Sequence, residues 1–107
     1  MIKITVFRND NGICQGFQCL GHAGYDEYGQ DIVCAAVSVL IVNTINSIEE
    51  FTDDAIACEV KEENGDVRFE FTGDISSESK LLVESMLLGL RGIEQEYGKD
   101  FILIEDN

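Results

Sequence analysis

The sequence predicts an α+β fold in which two helices pack on a mixed, mainly antiparallel sheet, in the order β-β-α-β-β-α-β. Two pairs of short segments have alternating apolar residues, and two longer segments have apolar residues at helical spacing. A turn signal separates the two strands of each pair. We expect a single domain over residues 1–107, because two cores of half this size would not offset the entropy of ordering the chain.

The first strand pair is predicted from Ile2, Ile4 and Val6, which alternate with polar or mixed neighbours. The Asn-Asp-Asn-Gly segment at 9–12 favours a turn, and a second strand follows from Ile13 to Leu20. The first helix is predicted from Ile32 to about Ile48, where apolar residues recur at steps of three and four.

The second strand pair surrounds Asn64-Gly65, the strongest short signal for a hairpin. Each strand has one apolar face, formed by Ile56, Cys58 and Val60 and by Val67, Phe69 and Phe71. Cys58 is predicted to be a core residue, because both of its neighbours on that face are aliphatic.

The second helix is predicted to begin after the candidate caps Ser76 and Ser77 and to end near Tyr97. Gly98 then stands where a residue with positive φ is favoured. Gly89 and Gly92 lower helix propensity, so we interpret them as points of close contact with another helix or a partner. A last short strand is predicted from Phe101 to Ile104.

The composition is acidic, with 21 Asp and Glu against 7 Lys and Arg and a formal charge of −14. Such a surface repels phosphate backbones and anionic lipid, so we expect a basic partner and no direct binding of nucleic acid. No run of apolar residues approaches the roughly 20 needed to cross a bilayer, and no secretory signal is recognisable, which predicts no membrane association and a cytoplasmic location.

Four cysteines stand at positions 14, 19, 34 and 58 without a C-x-x-C spacing. We therefore predict unbridged thiols, no metal site and no cofactor. Cys14 and Cys19 lie in the second strand, where burial in the core is expected.

The segment from His22 to Cys34 joins the second strand to the first helix and contains the only histidine of the chain. Asp31 suits the position of an N-cap, which would place Cys34 in the first turn, where backbone N–H groups and the helix dipole favour a thiolate. His22 is then a candidate base for this nucleophile. Unused N–H groups of the same turn are candidate donors to an oxyanion.

Each residue also has a structural explanation. Taken alone, Cys34 is better explained by packing, Asp31 by capping, and Ser38, one turn further, by a hydrogen bond back to its own helix. His22 alone is consistent with a hydrogen-bonded surface residue.

The whole segment, Gly21-His22-Ala23 followed by Gly29-Gln30-Asp31-Ile32-Val33-Cys34-Ala35-Ala36-Val37-Ser38, resembles the signature of the ribosomal-processing cysteine protease family, Prp. The predicted order of strands and helices is similar to that family's as well. The resemblance implies a cysteine endopeptidase that removes an N-terminal extension from large-subunit ribosomal protein number twenty-seven, a basic precursor. It implies Cys34 as nucleophile, His22 as general base and later acid, Asp31 and Ser38 in supporting roles, and a possible homodimer.

Substrate contacts are expected from the loop that begins at Gly21. Ala23 belongs to the same motif, and Tyr25 and Tyr28 offer large contact surfaces between glycines that give the backbone freedom. Two hypotheses stay open for residues 23–30, closure over a bound peptide and a plain exposed turn.

Two functions compete with the protease. In a thiol redox sensor, Cys34 would form a sulfenic acid or a disulfide with another cysteine. In a non-catalytic ribosome-assembly or binding module, Cys34 would be a core residue and the acidic surface would carry the function.

Overall fold

The computed structural model describes residues 1–21, 30–61 and 66–106, with only the backbone at positions 30 and 31. In these ranges the chain forms the predicted series of strands and helices. The elements are β1 (Ile2–Arg8), β2 (Cys14–Leu20), α1 (Gln30–Phe51), β3 (Ile56–Lys61), β4 (Asp66–Phe71), α2 (Ser77–Tyr97) and β5 (Ile102–Asp106).

The strands form one five-stranded sheet in the order β3-β4-β2-β1-β5. Each neighbouring pair is antiparallel except β1 and β5, which are parallel, with Ile2 opposite Ile102. The prediction of a mixed, mainly antiparallel sheet with two helices is confirmed, and the structure adds the strand order.

Turn residues set the ends of several strands. The side chain of Asn9 accepts hydrogen bonds from the backbone N–H of Asn11 and Ile13, and Gly12 has a φ of 78°, so the predicted turn at 9–12 is confirmed. Asn64 and Gly65 lie outside the described residues, but the strands on either side are antiparallel, as expected for a hairpin.

The last strand begins one residue later than predicted. The N–H of Phe101 bonds to the carbonyl of Gly98 in a turn, and Gly98 has the expected positive φ, at 93°. The carbonyl of Phe101 accepts from the N–H of Ile2, which aligns β5 with β1. The strand then continues past the predicted end at Ile104 to Asp106.

The core lies between one face of the sheet and both helices. Phe17 and Phe69 are opposite each other in β2 and β4, and their rings stack with centroids 4.9 Å apart. Phe71 meets Phe69 edge to face at 5.0 Å. The helices bury Val33, Val37, Ile41, Ile45 and Ile48 of α1 and Val83, Met86, Leu87 and Leu90 of α2.

The edge strand β3 is less covered than the sequence predicted. Cys58 is exposed and Val60 retains 56% of its accessible surface, so the prediction that Cys58 is a core residue is wrong. The apolar face of β3 lies at the rim of the sheet, where the two helices bury the strands further in. Periodicity reports which residues share a face, but not whether another element covers that face.

The segment 32–51 of α1 has the length and hydropathy of a membrane-spanning helix, with a third of its residues buried. The run of consecutive apolar residues in this segment is shorter, because polar residues such as Ser38 and Asn43 interrupt it. A helix in the core of a globular protein meets the same criterion, and the apolar stripe from Val33 to Ile48 packs in the core here. We therefore describe α1 as a core helix, and the lack of membrane association stays a prediction.

Candidate functional site

Cys34 is the fifth residue of α1, and its side chain is partly buried against the hydrophobic core. The helix begins at Gln30, so Asp31 is its second residue rather than the residue before it. The prediction that Asp31 occupies the N-cap position is therefore wrong, as is the placement of Cys34 in the first turn, because at least four helical residues precede Cys34. The role of Asp31 as an orienter stays a prediction.

The shift places Cys34 one turn inside the helix. N–H groups without an intrahelical acceptor belong to the turn before it, since only the first four of a helix lack such partners. A sulfur at this depth still lies near the positive end of the helix dipole. The backbone donors expected for an oxyanion therefore precede Cys34 in the chain.

Cys34 lies within electrostatic reach of Cys19 on β2. The pKa of the Cys19 thiol is raised to about 11, chiefly by burial and in smaller part by the charges of Cys34 and Asp66. Cys19 is thus protonated at neutral pH. Its burial, predicted from the strand pattern, is confirmed, as is that of Cys14.

Gly21 follows the last residue of β2 and directly precedes His22. Its φ is 83°, and a Cβ atom built at this position would lie 2.4 Å from the carbonyl oxygen of Met1. Both features require glycine, since other residues are strained at this φ and real Cβ atoms do not approach backbone so closely. The N–H of Gly21 donates a hydrogen bond to Oδ1 of Asp66 at 3.2 Å.

Ser38 lies four residues after Cys34 in α1, which places the two on the same side of the helix. Ser38 is exposed, and it lines a shallow surface depression together with Val39, Val42, Asn43 and Asn46. None of the residues that line this depression is charged.

The remaining predicted site residues, His22, Ala23, Tyr25 and Tyr28, lie outside the described residues, and the loop-closure hypothesis falls there as well. The described part of the site is therefore Cys34 and Ser38 on α1, with Gly21 at the end of β2. Cys19 and Asp66 connect them, because Asp66 bonds to Gly21 and its charge, like that of Cys34, acts on Cys19.

Sequence reasoning missed Asp66. Its only local signal is a position just after the predicted turn at Asn64-Gly65, and its contact with Gly21 spans 45 positions. Within the described ranges, no cluster of three or more His, Cys, Asp or Glu side chains is arranged to hold a metal ion. That a metal and a cofactor are not needed stays a prediction.

Comparison with known proteins gives one family. The family model described as cysteine protease Prp matches residues 1–102. The ribosomal processing cysteine protease Prp of Bacillus subtilis (strain 168) is 33% identical over 112 aligned positions, covering all of this chain and 98% of the relative.

Solved structures agree with this match. The essential ribosomal processing protease Prp from S. aureus in complex with a substrate peptide superimposes with a TM-score of 0.92 at 28% identity, covering 100% of both chains. The same S. aureus protease in complex with a covalently linked product peptide gives a TM-score of 0.90 at 29% identity, again over 100% of both chains.

Proposed function

The chain belongs to the cysteine protease Prp family, and from this premise we propose that Cys34 is its nucleophile and His22 its general base. As a member of this family, the chain is a cysteine endopeptidase. The observation that carries the assignment of Cys34 is its place near the N-terminal end of α1, in a partly buried position beside a thiol that stays neutral. Neither Cys14 nor Cys19 has that exposure.

In the proposed mechanism, the Cys34 thiolate attacks the scissile carbonyl carbon and forms a tetrahedral oxyanion. Backbone N–H groups of the turn before Cys34 bind that oxyanion. The His22 imidazolium then gives its proton to the leaving amine, and the peptide remains as a thioester on Cys34. Water, losing a proton to the neutral His22, attacks the thioester and releases the acid and the thiol.

The proposed substrate is a basic ribosomal protein precursor, namely large-subunit ribosomal protein number twenty-seven with its N-terminal extension. Two observations support it. The Bacillus subtilis relative is a ribosomal processing protease, and the S. aureus relative has been crystallised with a substrate peptide. The formal charge of −14 favours a basic protein and disfavours RNA, in keeping with a cytoplasmic enzyme that acts on the precursor rather than on the assembled particle.

A homodimer also belongs to this proposal. Val39 and Val42 keep 67% and 51% of their accessible surface on α1, which leaves an apolar strip beside Ser38. Light scattering across a range of concentrations tests the state of association. A molar mass that equals one chain even at high protein concentration would contradict the dimer. It would leave the assignment as a protease unchanged.

The deciding experiment incubates the protein with the precursor and follows the new N-terminus by mass spectrometry. We expect Cys34→Ala and His22→Ala to abolish cleavage, and Cys58→Ala, which removes an exposed thiol from the edge strand, to retain it. Circular dichroism establishes that each variant is folded. Full cleavage by Cys34→Ala would reject the nucleophile and favour a non-catalytic assembly module.

The redox sensor is tested with the same proteins. Mild oxidation with hydrogen peroxide, followed by digestion without reductant, would reveal a disulfide between Cys34 and a second cysteine. We expect no such product at the rate of substrate cleavage, because the thiol of Cys19 is buried and its pKa is raised to about 11.

A further inference from the structure

We propose that Val60 of β3 and Val67 of β4 form an apolar subsite of the protease, which receives a side chain of the substrate near the scissile bond. The proposal rests on the proposed function of Cys34 as the nucleophile. We call these two residues the valine pair. They are opposite each other in neighbouring strands, and neither belongs to the sequence motif.

The valine pair ends a row of side chains that crosses the sheet. Val67 is opposite Cys19 of β2, and Cys19 in turn is opposite Ile4 of β1. Residues directly opposite in antiparallel strands point to the same face, so the whole row lies on the face that packs against the helices. Exposure increases along it: Ile4 and Cys19 are 0% and 7% exposed, Val67 is partly buried, and Val60 retains 56%. None of the four is charged, so the open end of the row favours an apolar occupant.

Helix α1 turns Cys34 toward this open end. On one flank of α1, Leu40 approaches Gly89 of α2, and α2 packs against β5, at the opposite edge of the sheet from β3. Cys34 precedes Leu40 by six residues, which separates them by about 120° around the helix axis, with the buried Val37 midway between them. The flank of α1 that carries Cys34 is therefore the one away from α2, and it faces β4 and β3.

Electrostatic effects at both ends of this flank agree with that orientation. Glu49 lies further along the same flank, and its charge, in smaller part than burial, raises the pKa of the Cys58 thiol on β3. Near the start of the helix, the charge of Cys34 contributes to the raised pKa of the Cys19 thiol, for which burial is the larger cause. Cys34 thus lies near the row that ends in the valine pair. From Cys19 to the exposed end of that row is about 10 Å, the width of two strand spacings.

A side chain of the bound substrate is the occupant that this position favours. Val60 stands on an edge strand, where an exposed apolar residue promotes unwanted association unless something covers it. An extended peptide advances about 3.3 Å per residue, so a side chain within about three residues of a scissile bond held at Cys34 reaches the valine pair. Burial of an apolar side chain there would exclude water and discriminate against a polar residue at the same position of the substrate.

The first test measures cleavage of a peptide of the proposed precursor that spans the scissile bond. We expect Val60→Ser to raise KM about tenfold with kcat unchanged, because the lost contact is made equally in the ground state and the transition state. Val60→Leu keeps an apolar side chain and should stay within about twofold of the parent. Ala57→Ser is the matched control, since Ala57 is exposed on the other face of the same strand.

Peptides with serine in place of each apolar residue near the scissile bond identify the occupant. At one position, the substitution in the peptide should remove the difference in KM between the parent and Val60→Ser, since both changes abolish the same contact. Losses that multiply independently at every position would overturn the subsite.

Cross-linking tests the geometry without substrate. In a Cys58→Ala background, a bis-maleimide that spans about 10 Å should join Cys34 to the thiol introduced by Val60→Cys. Glu59→Cys places a thiol on the opposite face of β3 and should give no such bridge. Peptide mass spectrometry identifies the products. Equal bridging in the two variants, or none in Val60→Cys, would contradict the inference.

Should Val60→Ser fail to fold, Val60→Thr keeps the β-branched shape and replaces a methyl group by a hydroxyl. Weaker self-association of these variants in light scattering, with the KM of the parent, would assign the valine pair to a contact between two chains and reject the subsite. Loss of cleavage in Cys34→Ala together with a parent-like KM in Val60→Ser and Val60→Thr rejects only the subsite. Full cleavage by Cys34→Ala rejects the nucleophile and the inference with it.

Discussion

Arg8 and Asp106 form a bidentate ion pair that joins the ends of the parallel strands β1 and β5. Nε of Arg8 donates to Oδ1 of Asp106 at 2.6 Å, and Nη2 donates to Oδ2 at 2.8 Å. About a fifth of each side chain is exposed, at 19% and 20%. Arg91 of α2 donates to the same carboxylate, and Glu84 accepts from Arg8, so the pair also attaches the second helix.

We expect Asp106→Asn to lower the free energy of unfolding by about 1 kcal/mol at pH 7, since the exposed fraction allows solvent to screen part of the attraction. The hydrogen bond from Arg8 holds the pKa of Asp106 below its usual value, and the charge of Arg91 acts in the same direction, while burial opposes them. A lowered pKa stabilises the fold above the unfolded value of about 3.9, and this contribution is lost as the pH falls through the folded value.

Urea denaturation at pH 7 and pH 3 measures this difference. The difference in the free energy of unfolding between the parent and Asp106→Asn should be smaller at pH 3, where part of the stabilisation by the ionised Asp106 is lost. Glu105→Gln is the control, because its pair with Lys3, at 3.4 Å and 44% exposed on both sides, should contribute close to nothing. An unchanged gap at pH 3 would mean that packing, rather than charge, accounts for the loss.

The start of α2 offers a second test. Oγ of Ser76 accepts the N–H of Ser79 at 3.2 Å and donates to Asp54 at 2.8 Å, so one hydroxyl both caps the helix and fastens it to the segment before β3. We expect Ser76→Ala to cost about 1 kcal/mol in chemical denaturation. The neighbouring Ser77→Ala should be near neutral, and equal losses in the two variants would contradict the capping role.

Two glycines of α2 should respond differently to alanine. A Cβ at Gly92 would meet nothing within 4 Å, whereas one at Gly89 would lie 3.0 Å from Cδ1 of Leu40 on α1. We expect Gly92→Ala to stabilise the protein by up to about 1 kcal/mol, which corresponds to roughly 4 °C in Tm. Gly89→Ala should gain less, because Leu40 must move. Calorimetry compares the Tm values of the two variants. An equal rise in Tm would mean that Leu40 and the two helices adjust to the added methyl group without loss of stability.

The three cysteines outside the proposed active site, Cys14, Cys19 and Cys58, should differ in reactivity. At pH 8, iodoacetamide should label the exposed Cys58, while burial raises the pKa of Cys14 and of Cys19 to about 11 and protects both. The pKa of Cys58 is itself raised by partial burial and by Glu49, so its labelling should be slower than that of a free cysteine. Peptide mass spectrometry, repeated in urea, checks the order. Labelling of Cys19 in the folded protein would indicate local opening of β2.

Local sequence patterns were sufficient to predict the strands and helices. The features that could not be predicted depend on contacts between residues far apart in the sequence. The alternation at Ile2, Ile4 and Val6 and the helical stripe after Ile32 predicted strand and helix correctly, because each side chain is buried on one face of its own element. The interpretation of Gly89 as a close contact between helices is also confirmed, by its approach to Leu40.

The strand order could not be predicted, because the pairing of β1 with β5 depends on contacts between residues that are far apart in the sequence. The exposure of Cys58 depends on what covers β3, which the residues of β3 do not encode. At the site, the motif directed attention to Cys34, but not to Asp66, whose hydrogen bond to Gly21 is set by the neighbouring strand. The position of Asp31 inside α1 was missed because a cap residue and a first-turn residue have similar preferences.

The pairing of β1 with β5 has a consequence for synthesis of the chain. As the ribosome makes the protein from its N-terminus, β1 can pair with β2 early. The second edge of β1 has no neighbouring strand until residues 102–106 emerge, and Asp106, which pairs with Arg8, follows it by 98 positions. An unpaired edge beside an apolar face invites association with other nascent chains. We therefore expect the sheet to close only after β5 has emerged from the ribosome, and chains interrupted before β5 to aggregate.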